Sequence, residues 1–179
     1  MTDVGTIGQS AHDISNEDLA KQVLSALSGR TLATAESLTG GLIGATITAI
    51  PGASEMYRGG VVTYASDLKA SMLDIPPATM AHGVVSKEVA AAMAVGVAYF
   101  LNAEFAIATT GVAGPDSQEE QAPGTVFISV FRRGRDGAPV SVTEKYFFES
   151  ESKDAQAARN YVRQSTVRAA LEQLLAILV

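Results

Sequence analysis

Apolar positions change their spacing several times along this chain, and each change marks an element. Between residues 17 and 27, Leu19, Ala20, Val23, Leu24 and Leu27 recur at three- and four-residue intervals, which predicts a helix that Gly29 stops. Residues 31–35 are short, partly β-branched and alternating, as a strand is. Thr39-Gly40-Gly41 then opens an apolar run over residues 42–50 that Pro51-Gly52 ends, so this stretch reads strand, tight turn, helix. Residues 60–64 predict a second strand. Ser66-Asp67 caps a helix through Leu73, Pro76-Pro77 interrupts it, and a short helix follows over residues 78–82. Ser86 caps an alanine-rich helix that reaches Leu101. Residues 105–109 predict a third strand, and residues 110–121 a long loop rich in Gly, Pro and acids. Residues 125–131 and 140–148 read as a hairpin joined across residues 132–137. The last helix runs from about Lys153 to Leu175, with Val162, Val167, Ala170, Leu171, Leu174 and Leu175 facing inward.

Strands that alternate with helices and then close in a hairpin argue for an α/β domain, a mixed sheet sandwiched by helices. With no repeat and no linker, the chain reads as one domain over residues 16–179 behind a loose, flexible tail at residues 1–15.

Composition narrows the chemistry. The chain has 179 residues, 47% hydrophobic and 18% charged, enough for a core without staples. It has no cysteine, which excludes a disulfide framework, a thiolate metal site and a cysteine nucleophile together. Two histidines, His12 and His82, are too few for a multi-histidine metal cluster. A net charge of −6 with no basic stripe argues against a nucleic-acid partner, since that binding depends on neutralising phosphates. The longest apolar stretch, residues 89–101, is shorter than the ~20 residues that span a bilayer, so no membrane partner is expected. The polar start of the chain lacks the pattern of a signal peptide, and the cytoplasm is the expected address.

Three segments leave predicted strands through small and polar residues: Glu36-Ser37-Leu38-Thr39-Gly40-Gly41, Ala65-Ser66-Asp67 and Thr110-Gly111-Val112-Ala113-Gly114-Pro115-Asp116. If those strands are parallel neighbours, the three loops share the rim where such sheets bind ligands. The first loop places hydroxyls at a helix N-terminus, where free N–H groups can hold an oxyanion or phosphate. On pattern alone, Ser37 or Thr39 is more commonly a helix cap than a nucleophile. Lys69 sits one turn inside the second loop; as a base for serine it must be neutral, which burial can arrange. An unselected helix lysine is usually solvated. Ser66-x-x-Lys69 and Ser150-x-x-Lys153 both match the S-x-x-K pattern, and two hits in one chain show how little it discriminates. Arg159 and Arg163, at i and i+4, either bind a phosphate or offset Glu149, Glu151 and Asp154; Arg163 is the phosphate candidate.

In combination these segments resemble a known family. Ala35-Glu36-Ser37-Leu38-Thr39-Gly40-Gly41, Pro51-Gly52-Ala53-Ser54, Gly60-Val61-Val62-Thr63-Tyr64 through Lys69, and Thr110 to Asp116 followed by Pro123-Gly124-Thr125-Val126 occur in order. Together they resemble the C-terminal domain of the competence/damage-inducible protein CinA, which also occurs alone as nicotinamide-nucleotide amidohydrolase. The resemblance implies a three-layer α/β/α sandwich with a mixed, mostly parallel sheet, a homo-oligomer, and metal-free, cofactor-free hydrolysis of the carboxamide of nicotinamide mononucleotide. By motif position it implies Ser37 as nucleophile, Lys69 as base, and Tyr64 and Ser54 in support. Substrate contacts are then expected from Glu36, Thr39, Gly40 and Gly41 on the first loop and from Thr110, Gly111 and Gly114 on the third, with Arg163 beside them. Departures from the family pattern fall at Leu38 (often cysteine), at Ala65-Ser66 (for Ser-Asn) and in residues 117–122. The alternatives are a non-catalytic nucleotide-binding or interaction domain, or an amidohydrolase acting on another small amide.

Overall fold

The computed structural model describes residues 14–134 and 138–178. Most of the expected tail, residues 1–13, and the tip of the hairpin, residues 135–137, lie outside the described residues. Chain order is α1 (Asn16–Leu27), β1 (Leu32–Glu36), α2 (Leu42–Thr48), a 3-10 turn (Ala53–Glu55), β2 (Tyr57–Val62), α3 (Ser66–Leu73), α4 (Pro77–Met80), α5 (Lys87–Phe100), β3 (Phe105–Gly111), β4 (Thr125–Arg132), β5 (Val140–Phe147) and α6 (Ala155–Leu178).

The five strands lie in the order β2-β1-β3-β4-β5. β1 pairs in parallel with β2 and β3, while β4 is antiparallel to both of its neighbours. Four of the five strands therefore point one way, and the sheet is mixed as expected. Side-chain alternation along the strands splits the core in two. Leu32, Phe105, Ile107, Ile128 and Val130 pack with α1, α2 and α6 on one face. Ala33, Ala35, Ala106 and Ala108 meet α5 and α3 on the other. Burying each large apolar side chain contributes about 1.5–3 kcal/mol, so the first face supplies most of the hydrophobic stabilisation.

The small residues of the second face have a different use: they let a helix approach closely. α5 brings Ala90, Met93, Ala94, Val97 and Ala98 into that face. At Gly96 an added Cβ would stand 2.4 Å from the Leu73 carbonyl oxygen, so α3 rests directly on the backbone of α5. This contact seats the helix that carries Lys69.

Two of the boundaries that differ from the sequence pattern bear on the site. β2 begins at Tyr57, three residues before its predicted start, and ends at Val62, because Tyr57 pairs with Leu32 despite the polar and glycine residues that follow it. Tyr64 is thereby left outside the sheet. β3 continues through Gly111, where a Cβ would come within 2.6 Å of the Thr125 carbonyl oxygen, so the close approach of β4 demands glycine there.

Candidate active site

The chain leaves the carboxyl ends of β1, β2 and β3 on one edge of the sheet, with β1 in the middle, which is where open α/β sheets bind ligands. A cavity of about 310 Å³ opens there, lined by Ser37, Leu38, Tyr64 and Lys69, by Val84 and Val85 before α5, by residues 110–118, and by Arg159 of α6.

Ser37 follows β1 directly. Its N–H donates to the Thr109 carbonyl at 3.0 Å, extending the ladder by one residue, and its own carbonyl accepts from Gly40 N–H at 3.0 Å. Gly40 and Gly41, at φ of 62° and 93°, then turn the backbone into α2, a conformation glycine adopts without strain. The residue before the serine locks the turn. Glu36 is 1% exposed, and its carboxylate accepts from the N–H groups of Gly41, Ile43 and Gly44 at 2.9–3.0 Å. A negative side chain on a helix N-terminus satisfies both the unpaired donors and the dipole.

That geometry corrects the expected division of labour on this loop. Both Glu36 oxygens are occupied by helix amides, so Glu36 supports the loop instead of touching substrate. The N–H groups of Gly40 and Gly41 are likewise spent inside the chain, which removes them as oxyanion donors. The Thr39 side chain is buried against the Thr109 hydroxyl, 2.9 Å away. Its carbonyl accepts from the Arg163 guanidinium at 2.9 Å, so Arg163 braces the loop from behind and does not line the cavity.

Ser54 is displaced further. It is exposed in the 3-10 turn before β2, at the amino end of the strands, while Ser37 stands at their carboxyl end. A six-residue strand at ~3.3 Å per residue separates the two ends by about 20 Å, so Ser54 cannot reach Ser37 within one chain.

Lys69, in the first turns of α3, is 2% exposed and donates from Nζ to the Thr63 carbonyl at 3.0 Å. Burial holds its amine below the ordinary lysine range, and the Glu119 carboxylate partly opposes that effect. Tyr64 is 59% exposed at the cavity mouth, and its hydroxyl accepts from the Arg159 guanidinium at 2.7 Å. Arg159 also donates to the Gly114 carbonyl at 2.6 Å, tying α6 to the loop after β3. Thr110 lines the cavity while its hydroxyl donates to the Val84 carbonyl at 2.7 Å.

Of the sequence candidates, Ser37, Tyr64, Lys69, Thr110, Gly111 and Gly114 thus meet at one cavity. Arg159 takes the place expected of Arg163. The signal was available: β5 ends at this rim, so a residue at the start of α6 lies beside it, and one turn later the chain has moved about 5.4 Å along the helix.

The model of the CinA C-terminal domain family matches residues 16–178, nearly the whole described chain. The chain belongs to the CinA C-terminal domain family. A putative competence-damage inducible protein from Halalkalibacterium halodurans is 39% identical over 172 residues, which cover 94% of this chain and 38% of that protein. A protein from Mycoplasma pneumoniae named as a homolog of protein MG115 is 38% identical over 143 residues, 79% of this chain and 84% of its own. Among solved structures, a CinA superfamily protein from Enterobacter cloacae superposes with a TM-score of 0.85 at 28% identity, covering 98% of this chain and 100% of its own. A competence/damage inducible protein from Agrobacterium tumefaciens gives 0.81 at 34% identity, over 94% and 98%. The chain spans well under half of the length of the Halalkalibacterium relative, so the CinA C-terminal domain is the part they share. Among the described residues no helix is long and apolar enough to cross a membrane.

Proposed function

We propose that this CinA C-terminal domain hydrolyses the carboxamide of nicotinamide mononucleotide to nicotinate mononucleotide and ammonia by a Ser–Lys mechanism. The observation that carries the reading is Ser37 and Lys69 lining one cavity, with the lysine buried and its proton affinity held down by that burial. A neutral amine is what a lysine must have to act as base toward serine.

Lys69 Nζ takes the Ser37 proton as Oγ bonds to the amide carbon. The oxyanion forms beside the loop after β1, where Leu38 lines the cavity and the N–H groups of Gly40 and Gly41 are already engaged within the chain. The Lys69 ammonium returns the proton to the amide nitrogen, the C–N bond breaks, and ammonia leaves an acyl group on Ser37. Water then attacks, giving its proton to Lys69, and the Ser37 ester opens with Oγ reprotonated. Arg159, at the mouth beside Tyr64, supplies the planar guanidinium suited to the substrate phosphate. Thr110 and residues 111–116 close the remaining wall.

Ammonia release across a panel of amides tests the substrate. Nicotinamide mononucleotide is expected to turn over far faster than free nicotinamide or asparagine. Faster release from another amide would move the substrate while keeping the chemistry. Tight nucleotide binding without release of ammonia from any amide would make this a nucleotide-binding domain instead.

A further inference from the structure

Three hydroxyl side chains stand in a row across the carboxyl edge of the sheet. Ala35, Val61 and Ala108 pack on the α3–α5 face. Strand alternation turns the residues two positions on, Ser37, Thr63 and Thr110, to that same face. Their backbones keep the pairing of the strands they follow: Thr63 N–H donates to the Glu36 carbonyl at 2.9 Å, and Ser37 N–H to the Thr109 carbonyl at 3.0 Å. Glu36 is the register partner of both Val62 and Thr109. Ser37 therefore stands between Thr63 and Thr110, at the strand spacing of about 4.8 Å on either side.

The two flanking hydroxyls differ. Thr110 Oγ1 donates to the Val84 carbonyl at 2.7 Å. Thr63 is 0% exposed, and among the described residues its Oγ1 is the one buried side-chain polar atom without a hydrogen-bond partner. A buried hydroxyl left unpaired destabilises a fold, and nearly all such groups are paired. Valine has the same branched shape without that cost, so packing gives no reason for threonine here. What Thr63 does hold is the lysine: its carbonyl accepts from Lys69 Nζ at 3.0 Å. Bond lengths keep the carbonyl oxygen and Oγ1 of one threonine within about 4.5 Å of each other. The amine comes from α3, the side to which Thr63 points, and a small swing of its flexible stem carries it from one oxygen to the other.

We propose that Thr63 is a positioning residue for the Ser37–Lys69 pair: its unpaired hydroxyl is the second acceptor for Lys69 Nζ once the lysine carries the Ser37 proton. The neutral amine donates one N–H to the Thr63 carbonyl and keeps its lone pair for Ser37. As Ser37 Oγ bonds to the amide carbon, its proton passes to that lone pair, and the ammonium then has three N–H donors. One stays on the Thr63 carbonyl and one turns to Thr63 Oγ1. The third faces the amide nitrogen, which receives the proton as the C–N bond breaks. The hydroxyl thus favours a charged lysine that exists only after proton transfer, and so acts on the barrier more than on substrate binding. Being fully buried, Thr63 acts through the amine and does not touch substrate. The role rests on the Ser–Lys reading; the unpaired hydroxyl does not.

The test compares Thr63→Val, which exchanges the hydroxyl for a methyl, with Thr63→Ser, which keeps it. In urea unfolding, Thr63→Val is expected at or above the wild-type midpoint; a lower midpoint would show the hydroxyl already paired within the fold and overturn the proposal. In ammonia release from nicotinamide mononucleotide, Thr63→Val is expected to lose ~10- to 100-fold in kcat with KM little changed, the scale of one hydrogen bond to a charged group. Thr63→Ser is expected to recover most of that rate. An unchanged kcat in Thr63→Val, or a loss that Thr63→Ser shares in full, would overturn the role. A second readout needs no amide. Phenylmethanesulfonyl fluoride reacts with an activated serine as Oγ bonds to sulfur, fluoride leaves and the lysine takes the proton, and intact mass follows the adduct. Labelling of Ser37 is expected to slow in Thr63→Val as kcat does, and equal labelling of the two proteins would overturn the proposal. Slowed labelling without ammonia release from any amide would leave Thr63 in its role and move only the substrate. A wild-type Ser37 that labels no faster in the presence of Lys69 than in Lys69→Met would remove the Ser–Lys reading itself, and the role of Thr63 with it.

Discussion

In the loop after β1, backbone and side-chain polar groups are used up within the chain: Glu36 holds three helix amides, Arg163 holds the Thr39 carbonyl, and two glycines absorb the reversed backbone. In the loop after β3, the tip is exposed, Glu119 and Glu120 occupy left-handed backbone, and the Glu119 carboxylate, accepting from Val85 N–H, joins the turn to the segment before α5. The first loop carries Ser37, the proposed nucleophile, and is built to hold one geometry. The second carries much of the cavity wall, so it can vary in sequence without moving Ser37. A functional site of this kind separates the part that performs the chemistry from the part that selects what enters.

Substitutions can break or sharpen that contrast. The largest effect is expected from Glu36→Ala, which strands three helix amides beneath the serine. A stability loss of about 3–5 kcal/mol is expected from the unpaired donors, read by urea unfolding, and a tolerant Glu36→Ala would deny the first loop its rigidity. Gly96→Ala acts at a distance by forcing α3 away from α5 at the Leu73 carbonyl. Overpacking of this kind costs about 1–3 kcal/mol, and it is expected to lower kcat more than it raises KM because it moves Lys69.

Lys69→Met tests the cost of the buried amine. The folded lysine has a proton affinity below that of the unfolded chain, so the unfolded state binds more protons in the window between the two values. The penalty on folding is complete below the folded value and disappears as pH rises toward 10.5. Lys69→Met is therefore expected to be more stable than the wild type near neutral pH, with the gain fading in alkali. A gain independent of pH would mean that the lysine is not buried as a suppressed cation. The smallest effect belongs to the second loop: Glu120→Asn relieves a left-handed position and is expected to add a few tenths to about 1 kcal/mol, visible as a modest rise in Tm. The same substitution should leave kcat unchanged.

Much of this architecture was legible in the spacing of apolar residues. α1, α5 and α6 follow from three- and four-residue intervals, and β3 and β4 from apolar runs bounded by glycine and proline. The start of β2 was missed because Arg58 and Gly59 hide a strand whose pairing with β1 is decided by tertiary contact. Ser37 and Lys69 were legible only through ordered motifs, since pattern alone favours a cap and a solvated amine. Ser54 and Arg163 failed for a geometric reason: sequence order does not tell which end of a strand a residue occupies, nor which face of a helix meets the rim. Glu36, expected at the substrate by motif position, turned inward because the two reversed glycines bring the start of α2 back onto its carboxylate.

The central claim is that Ser37 and Lys69 act together on an amide. Its most direct test is ammonia release from nicotinamide mononucleotide by wild type, Ser37→Ala and Lys69→Ala at matched folded concentration. The account expects robust release by the wild type and a loss of at least ~1,000-fold in each variant, the scale seen when a nucleophile or its base is removed. Release that survives in Ser37→Ala would contradict it and place the chemistry on other residues.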